Sequence, residues 1–514
     1  MFGTAFLIVL VLFLSKSFAL QIEEGGTYAK RSEQNRLRYT LIFGERGVFT
    51  DRRGELLAWN ISDPSESAFS KRAFTKREGL SHILGFLKYP SKDKYGFYYK
   101  VNFEGMDGVE KYLNEYVAPE HGLKIVEIDA LGVIQSESVL KLPKHGARTE
   151  LSIDARVSER LYGFIKESAK ERGFDGGAAV VMDIKNGEIL ALASFPEYRS
   201  GVLSEGVDRA QIKKFIEDAK KPFLNRVTAG LYTPGSIVKP FIAVGALEEK
   251  IITPEKTIVS TGSISIPNPY DPSKPTLFKD WKAHGAVDMR GALAVSSDVY
   301  FYSIGGGFED QRGLGIANIE KYMRVFGFGA EPGGNDFFGG SGVIPNPEWK
   351  MEHFGEGWRL GNTYHTAIGQ YGFQVTPMQA VRATAALANG GKLLEPRLTT
   401  ETELPIAQVV PVEGSSLAVA REGMRQAVLA GTASGLNLSQ VTVAAKTGTA
   451  ELGTAKRFVN SWVIGFFPYE EPRYAFAVIM EKGPRDNTVG ALFVVKQILE
   501  WMSVYTPEYL REDR

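Results

Sequence analysis

Two groups of β-prone segments, far apart in the chain, constrain its fold more than any other feature. The runs Ala178 to Ile184 and Ile189 to Ala193 flank Lys185-Asn186-Gly187-Glu188, and Asn-Gly between two such runs marks a tight hairpin. Near the other end lie three more runs, Val441 to Ala445, Trp462 to Phe467 and Tyr474 to Met480, then an amphipathic helical pattern from Val489 to Tyr505. The long stretch between the groups is mostly helical in pattern, with Gly/Pro-rich loops. One antiparallel sheet built from both ends of a domain, with helices inserted, is an α+β architecture. Glu150 to Asp154 alternates like a strand, and Asp154 is placed to cap a helix from Ala155. The expected main domain therefore spans 151–514.

Ahead of it, residues 21–150 are polar and broken by turn clusters such as Asp51-Arg52-Arg53-Gly54 and Tyr89-Pro90-Ser91-Lys92, which reads as an irregular β-rich module. Phe2 to Leu14 is almost wholly apolar, and Ser15, Lys16 and Ser17 interrupt it before Phe18, Ala19 and Leu20. With Lys16 snorkelling to an interface, residues 1–20 span a bilayer as a single anchor. Ser17 and Ala19 also fit a signal-peptidase site. No Lys or Arg precedes the run, although both kinds of segment normally carry one. Either way the bulk of the chain is expected outside the cytoplasm. Sixty basic residues balance sixty acidic ones, so no summed field draws the chain onto nucleic acid. The absence of cysteine excludes disulfides, thiolate catalysis and cysteine-ligated metals.

Six histidines form no HExxH pair, no serine lies in a GxSxG elbow, and no GxxxxGK[ST] loop is present. What remains is a serine with a lysine base. Ser-x-x-Lys occurs at Ser91/Lys94, Ser138/Lys141 and Ser236/Lys239, and only the last has a context that makes physical sense. There Thr233-Pro234-Gly235 delivers Ser236 to the start of an apolar helix, whose positive end favours a developing oxyanion. Lys239 follows one turn later on the same face, placed to take the hydroxyl proton if a neighbouring cation and desolvation lower its pKa. Lys446-Thr447-Gly448-Thr449, on a predicted strand after Val441 to Ala445, supplies that cation. Thr447 and Thr449 offer hydroxyls to a carboxylate, and Gly448 leaves space for a substrate backbone. Ser296-Ser297-Asp298 lies on apolar helical or loop pattern. Ser296 is placed to relay a proton to a leaving amine, the blander reading of Ser296 and Asp298 being a helix cap.

In this order, Ser236-x-x-Lys239, Ser296-x-Asp298 and Lys446-Thr447-Gly448 resemble the signature set of penicillin-binding proteins and serine β-lactamases. Arg46 to Ala58, Gly105 to Tyr112 and Asn225-Arg226 are similar to class B penicillin-binding proteins. Gly340 to Pro345, Glu348-Trp349-Lys350, Ile368-Gly369-Gln370 and Thr376-Pro377-Met378-Gln379 look most like the branch serving cell elongation. The resemblance implies a membrane-anchored D,D-transpeptidase that cross-links peptidoglycan stem peptides through a Ser236 acyl-enzyme formed on D-Ala-D-Ala, without a cofactor. It also implies β-lactams as inhibitors, an oxyanion hole from the Ser236 and Thr449 N–H groups, Lys446, Thr447 and Thr449 on the substrate carboxylate, and a polytopic glycan polymerase as partner of the 21–150 pedestal. Which lysine or serine acts as base is open. The chain departs from the pattern at Asp298, where many relatives have Asn, and at Gln370-Tyr371-Gly372, where the usual Gly and aromatic are transposed.

Some relatives bind zinc near Asp280-Trp281-Lys282-Ala283-His284, with Asp271 a conceivable third ligand; without cysteine such a set is incomplete, and no metal is expected here. A β-lactamase would need a deacylating Glu between the second and third motifs. The chain's Glu-x-x-Leu-Asn, Glu110 to Asn114, precedes Ser236. A β-lactam sensor or a catalytically weak scaffold would keep the serine without the turnover.

Overall fold

The computed structural model describes every residue except 1, 63–67, 129–132, 269, 270, 272, 332–336, 338, 401–407, 454, 488 and 511–514, and the backbone alone of 31–36. The chain divides into two compact units: residues 1–48, 59–73 and 115–148, and residues 49–58, 74–114 and 149–514.

The first unit begins with an apolar helix, Phe2–Phe18, which continues through a π-helical turn, Ala19–Glu23. Phe2–Glu23 is long and apolar enough to cross a membrane, with mean hydropathy 2.2 and none of it buried against protein. A three-stranded antiparallel sheet follows, with Gly122–Ile128 between Leu37–Ile42 and Ile134–Lys141.

In the second unit Asp154 caps helix α1, Ala155–Arg172, by accepting from the N–H groups of Arg156 and Val157, and Gly173 closes it in the left-handed region. Next come strands β1, Gly176–Asp183, and β2, Ile189–Phe195. The intervening helices include α2, Lys239–Glu248; α3, Met289–Val295; α4, Asp298–Gly306; α5, Leu360–Ala367; α6, Pro377–Ala388; and α7, Gly414–Ala430. Strands β3, Ala444–Leu452, β4, Phe458–Phe467, and β5, Tyr474–Pro484, and helix α8, Ala491–Tyr505, complete it. The five strands form one antiparallel sheet in the order β2-β1-β5-β4-β3, the α+β arrangement expected from the two distant strand groups.

Every residue of β1 and β2 is buried because helices cover both faces. Val157, Leu161 and Ile165 of α1 join Val494, Val495 and Ile498 of α8 against Ala179, Val181, Val463 and Val478. Each such aliphatic side chain, once buried, contributes about 1.5–3 kcal/mol relative to exposure. By strand alternation Ala178, Val180 and Met182 face the other way, where α6 packs on β1, β4 and β5. Small residues let α6 sit close: Ala380, Ala383, Ala385 and Ala386 are all fully buried. With β3 at the sheet edge, the Lys446-Thr447-Gly448-Thr449 sequence lies on the strand itself, facing the turn that carries Ser236.

Candidate active site

Ser236 sits in a 3-10 turn, Gly235–Val238, that runs directly into α2. Three contacts fix this turn. Trp462 of β4, fully buried, donates its indole N–H to the Thr233 carbonyl at 3.0 Å, and the Gly235 N–H donates to Gly369 at 2.9 Å. The third is steric: a Cβ on Gly448 would lie 2.8 Å from Ile237 Cγ2 and 2.9 Å from the Pro234 carbonyl, and one on Gly235, at φ +57, would lie 2.8 Å from the Thr449 carbonyl. Paired glycines thus let the serine turn press against β3. This corrects the expected role of Gly448: the space it frees is filled by the turn, not left for a substrate backbone.

The apolar pattern through Ser296 is not one helix. α3 ends at Val295, Ser296 adopts a left-handed conformation at φ 59, and Ser297 begins α4 by accepting from the Tyr300 N–H. Ser297 thus caps the start of α4, and Ser296 closes α3 through its backbone N–H to Ala292, which leaves the Ser296 side chain free to point at the lysines. Asp280 holds this break from behind. Its carboxylate, fully enclosed, accepts from Ser297 Oγ at 2.8 Å, Val299 N at 3.0 Å, Ser260 Oγ at 3.1 Å and Trp281 N at 2.8 Å. Burial opposes its charge, but the Val299 and Asp298 N–H groups, the Ser297 hydroxyl and the Lys239 charge outweigh that, so its pKa lies below the usual carboxylate range.

Lys239 and Lys446 converge on Ser296. Lys239 Nζ lies 2.6 Å from Asp298 Oδ1, 2.9 Å from the Ser296 carbonyl and 3.3 Å from Ser296 Oγ. Lys446 Nζ reaches Ser296 Oγ at 2.8 Å and the Thr447 carbonyl at 2.9 Å. Both lysines are wholly buried. Burial first, and then the Lys239 charge, push the Lys446 amine well below its ordinary range, with Asp298 pulling the other way. The Lys446 amine is thus depressed, and Lys239 is held in an ion pair with Asp298.

Thr447 Oγ1 donates to Thr432 Oγ1 at 2.7 Å, and Thr449 is exposed on β3. The sequence reading missed Thr432, which belongs to no motif and reaches the site only through the loop after α7. It also missed the part Asp280 plays in holding the Ser296 loop. His284 Nε2 is 3.5 Å from Asp280 Oδ1, whereas Asp271 is bound to Ser273 and Lys274 of its own turn. Among the described residues no cluster of three His, Cys, Asp or Glu side chains is arranged to hold a metal ion. At the transposed loop Tyr371 takes a left-handed φ of 64, its ring lying 5.7 Å from that of Trp358 and 6.0 Å from that of Trp349.

The family described as the penicillin-binding protein transpeptidase domain matches residues 177–500. The chain belongs to this family. Peptidoglycan D,D-transpeptidase MrdA of Haemophilus influenzae is 29% identical over 520 aligned residues, covering 93% of this chain and 77% of that protein. Among solved structures, penicillin-binding protein 2 of Pseudomonas aeruginosa, in complex with WCK 5153, superposes with a TM-score of 0.77 at 26% identity, over 93% of this chain and 99% of that one. Penicillin-binding protein 2 of Helicobacter pylori, in complex with MreC, gives 0.76 at 26%, over 91% and 99%. Within the penicillin-binding proteins the chain is thus similar to penicillin-binding protein 2, and its fold is that of a serine-type transpeptidase with an apolar N-terminal helix and a β-rich N-terminal region.

Proposed function

We propose that this penicillin-binding protein cross-links peptidoglycan in cell elongation, with Ser236 as nucleophile. The observation that carries the reading is the convergence of Lys239 and Lys446, from a helix and a strand distant in sequence, on the one Ser296 hydroxyl. Two ammonium groups sharing a hydroxyl in a dry pocket repel, so the pair gives up a proton. The Lys446 amine carries the depression, and Asp298 balances the charge on Lys239.

A neutral amine in the pair accepts the Ser236 proton as Ser236 Oγ attacks the penultimate D-Ala carbonyl. The Ser236 and Thr449 N–H groups stabilise the oxyanion. The C–N bond breaks, terminal D-Ala leaves with a proton returned through Ser296, and an ester on Ser236 remains. A stem-peptide amine then attacks that ester, the C–O bond to Ser236 breaks, and the proton lost by the amine passes through the lysine pair to Ser236 Oγ, restoring the hydroxyl and the neutral amine. The hydroxyls of Thr447 and Thr449 hold the donor's terminal carboxylate. Asp298 acts here as counter-ion to Lys239, a role that Asn could not fill.

In this reading residues 1–20 anchor the chain in the cytoplasmic membrane, 21–150 form a pedestal facing a polytopic glycan polymerase, and 151–514 form the catalytic domain on the outer face. Intact-mass measurement after benzylpenicillin treatment, beside Ser236→Ala, tests the chemistry. A persistent adduct in the wild type alone is expected. Rapid drug hydrolysis without an adduct would mark a β-lactamase, and neither adduct nor hydrolysis a scaffold.

A further inference from the structure

Thr432 ties the wall of the cleft that carries Ser296 to the wall that carries Thr447. It follows the last turn of α7, where the Gly431 and Ala433 N–H groups both donate to the Ala427 carbonyl, at 3.1 and 3.0 Å. On one side the loop is pinned to the end of α3, two residues before Ser296: the Thr432 N–H donates to the Ala294 carbonyl at 3.0 Å. The approach is close enough to need glycine. A Cβ on Gly431 would lie 2.2 Å from the Ala294 carbonyl oxygen, and one on Gly423, earlier in α7, 2.6 Å from a Leu293 methyl. Just beyond, Ala433 and Leu436 are fully buried in the core that α1 and α8 share with the sheet. On the other side the Thr432 hydroxyl meets the Thr447 hydroxyl of β3 at 2.7 Å. The backbone of Thr432 is thus set by α3, while its side chain reaches β3.

Each hydroxyl has one proton to give and lone pairs to accept with. The bond between them uses one of their two protons, so the pair has one proton to present to a ligand. In this structure Thr447 gives its proton to Thr432. A carboxylate only accepts, and a hydrogen bond to an ionised acceptor is about twice as strong as one between neutral groups. An anion against β3 therefore turns the pair round, so that Thr432 donates to Thr447 and Thr447 donates to the carboxylate. Donation from behind strengthens the forward bond, and it holds Thr447 Oγ1 in one rotamer. We infer that Thr432 is a positioning residue for the substrate carboxylate: its hydroxyl orients that of Thr447, and its backbone keeps the pair in register with Ser296. The inference rests on the proposal that Thr447 and Thr449 hold the donor's terminal carboxylate. Thr432 acts through Thr447 and not on the reacting atoms.

The test is acylation of the full chain in detergent by benzylpenicillin, which carries a carboxylate near its reactive carbonyl, read as a second-order rate by intact mass. Thr432→Val keeps the shape and removes the hydroxyl; it is expected to lower the rate about five- to tenfold, the loss of one hydrogen bond. Thr432→Ser, which returns the hydroxyl, is expected to come within twofold of wild type. In a Thr447→Val background the Thr432→Val change is expected to add less than twofold, because the hydroxyl it works through is already gone. The pH profile of the rate should keep its midpoints in Thr432→Val, since the lysine pair is untouched. Thermal melts verify folding, and Thr432→Ala, with the same expected loss, serves if the valine variant does not fold. An unchanged rate in Thr432→Val overturns the inference, and so does a faster one, which would mean that Thr432 only competes for the Thr447 proton. A loss that serine does not recover, that is as large without the Thr447 hydroxyl, or that comes with shifted midpoints also overturns it, making Thr432 a packing residue. A wild type that forms no adduct would sink the transpeptidase reading and this inference together. Adduct in the wild type with an indifferent Thr432→Val would sink this inference alone.

Discussion

Gly448→Ala should separate the positioning of Ser236 from its chemistry. The added methyl would lie 2.8 Å from Ile237 Cγ2 and 2.9 Å from the Pro234 carbonyl, against an ordinary contact of about 3.5–4.0 Å between carbons. Backbone cannot rotate away as a side-chain tip can, so the serine turn must move off β3 by roughly 0.7–1 Å. Displacement on that scale costs on the order of 100-fold when a reacting group is misplaced, and overpacking costs about 1–3 kcal/mol of stability. The three atoms nearest the new methyl belong to Pro234 and Ile237 and not to the lysines or Ser296, so the loss should fall on the rate and not on the charge state. The assay is the second-order rate of benzylpenicillin acylation by intact mass, beside a thermal melt. Acylation within twofold of wild type, in a protein that melts normally, would refute the claim that these two glycines set the nucleophile. Gly163→Ala is the control: its Cβ meets only Arg160 Nη1 at 4.0 Å within α1, and it should raise stability by up to about 1 kcal/mol with no effect on acylation.

Asp280→Ala leaves the Ser297 hydroxyl, the Val299 N–H and the Ser260 hydroxyl without their acceptor; at about 1–3 kcal/mol for each buried group left unmade, it should destabilise by several kcal/mol, whereas Asp280→Asn, keeping one acceptor oxygen, should lose less, both read by denaturant melts and acylation rate. Trp462→Phe removes the bond to the Thr233 carbonyl and should cost about 1 kcal/mol with a measurable drop in acylation rate. His82, fully enclosed with its ring 5.1 Å from that of Tyr198, has its pKa lowered by burial to about 4. Because the folded value lies below the unfolded 6.5, its contribution is fully present above pH 6.5 and is lost as pH falls toward 4, about 3 kcal/mol in all. His82→Phe should flatten that part of the stability profile, and an unchanged profile between pH 6.5 and 4 would contradict the assignment.

Much of the catalytic apparatus was legible because it is local. Ser236 and Lys239 lie one helical turn apart, Asp154 announces a helix start, and the β-prone apolar runs, two of them joined by Asn186-Gly187, announce the sheet; short-range spacing and pattern carry such information directly. What the sequence could not supply is where segments distant in the chain meet. It offered Lys446 only as a cation near Lys239; that Lys446 is itself depressed by burial and by the Lys239 charge, and that Asp298 lies beside Lys239, follows from the packed environment. It read Ser296 as a proton relay, with a helix cap as the blander alternative for Ser296 and Asp298; Ser296 does close α3, and Ser297, gripped by Asp280 from a loop earlier in the chain, opens α4. It read Gly448 as an opening, and the opening is filled by Pro234 and Ile237. The residue types in the site were therefore determined by the sequence alone, through local pattern. How deeply each amine is buried, which hydroxyl is shared and which glycine is indispensable were decided only by tertiary structure, because each depends on distances between segments that sequence spacing does not fix.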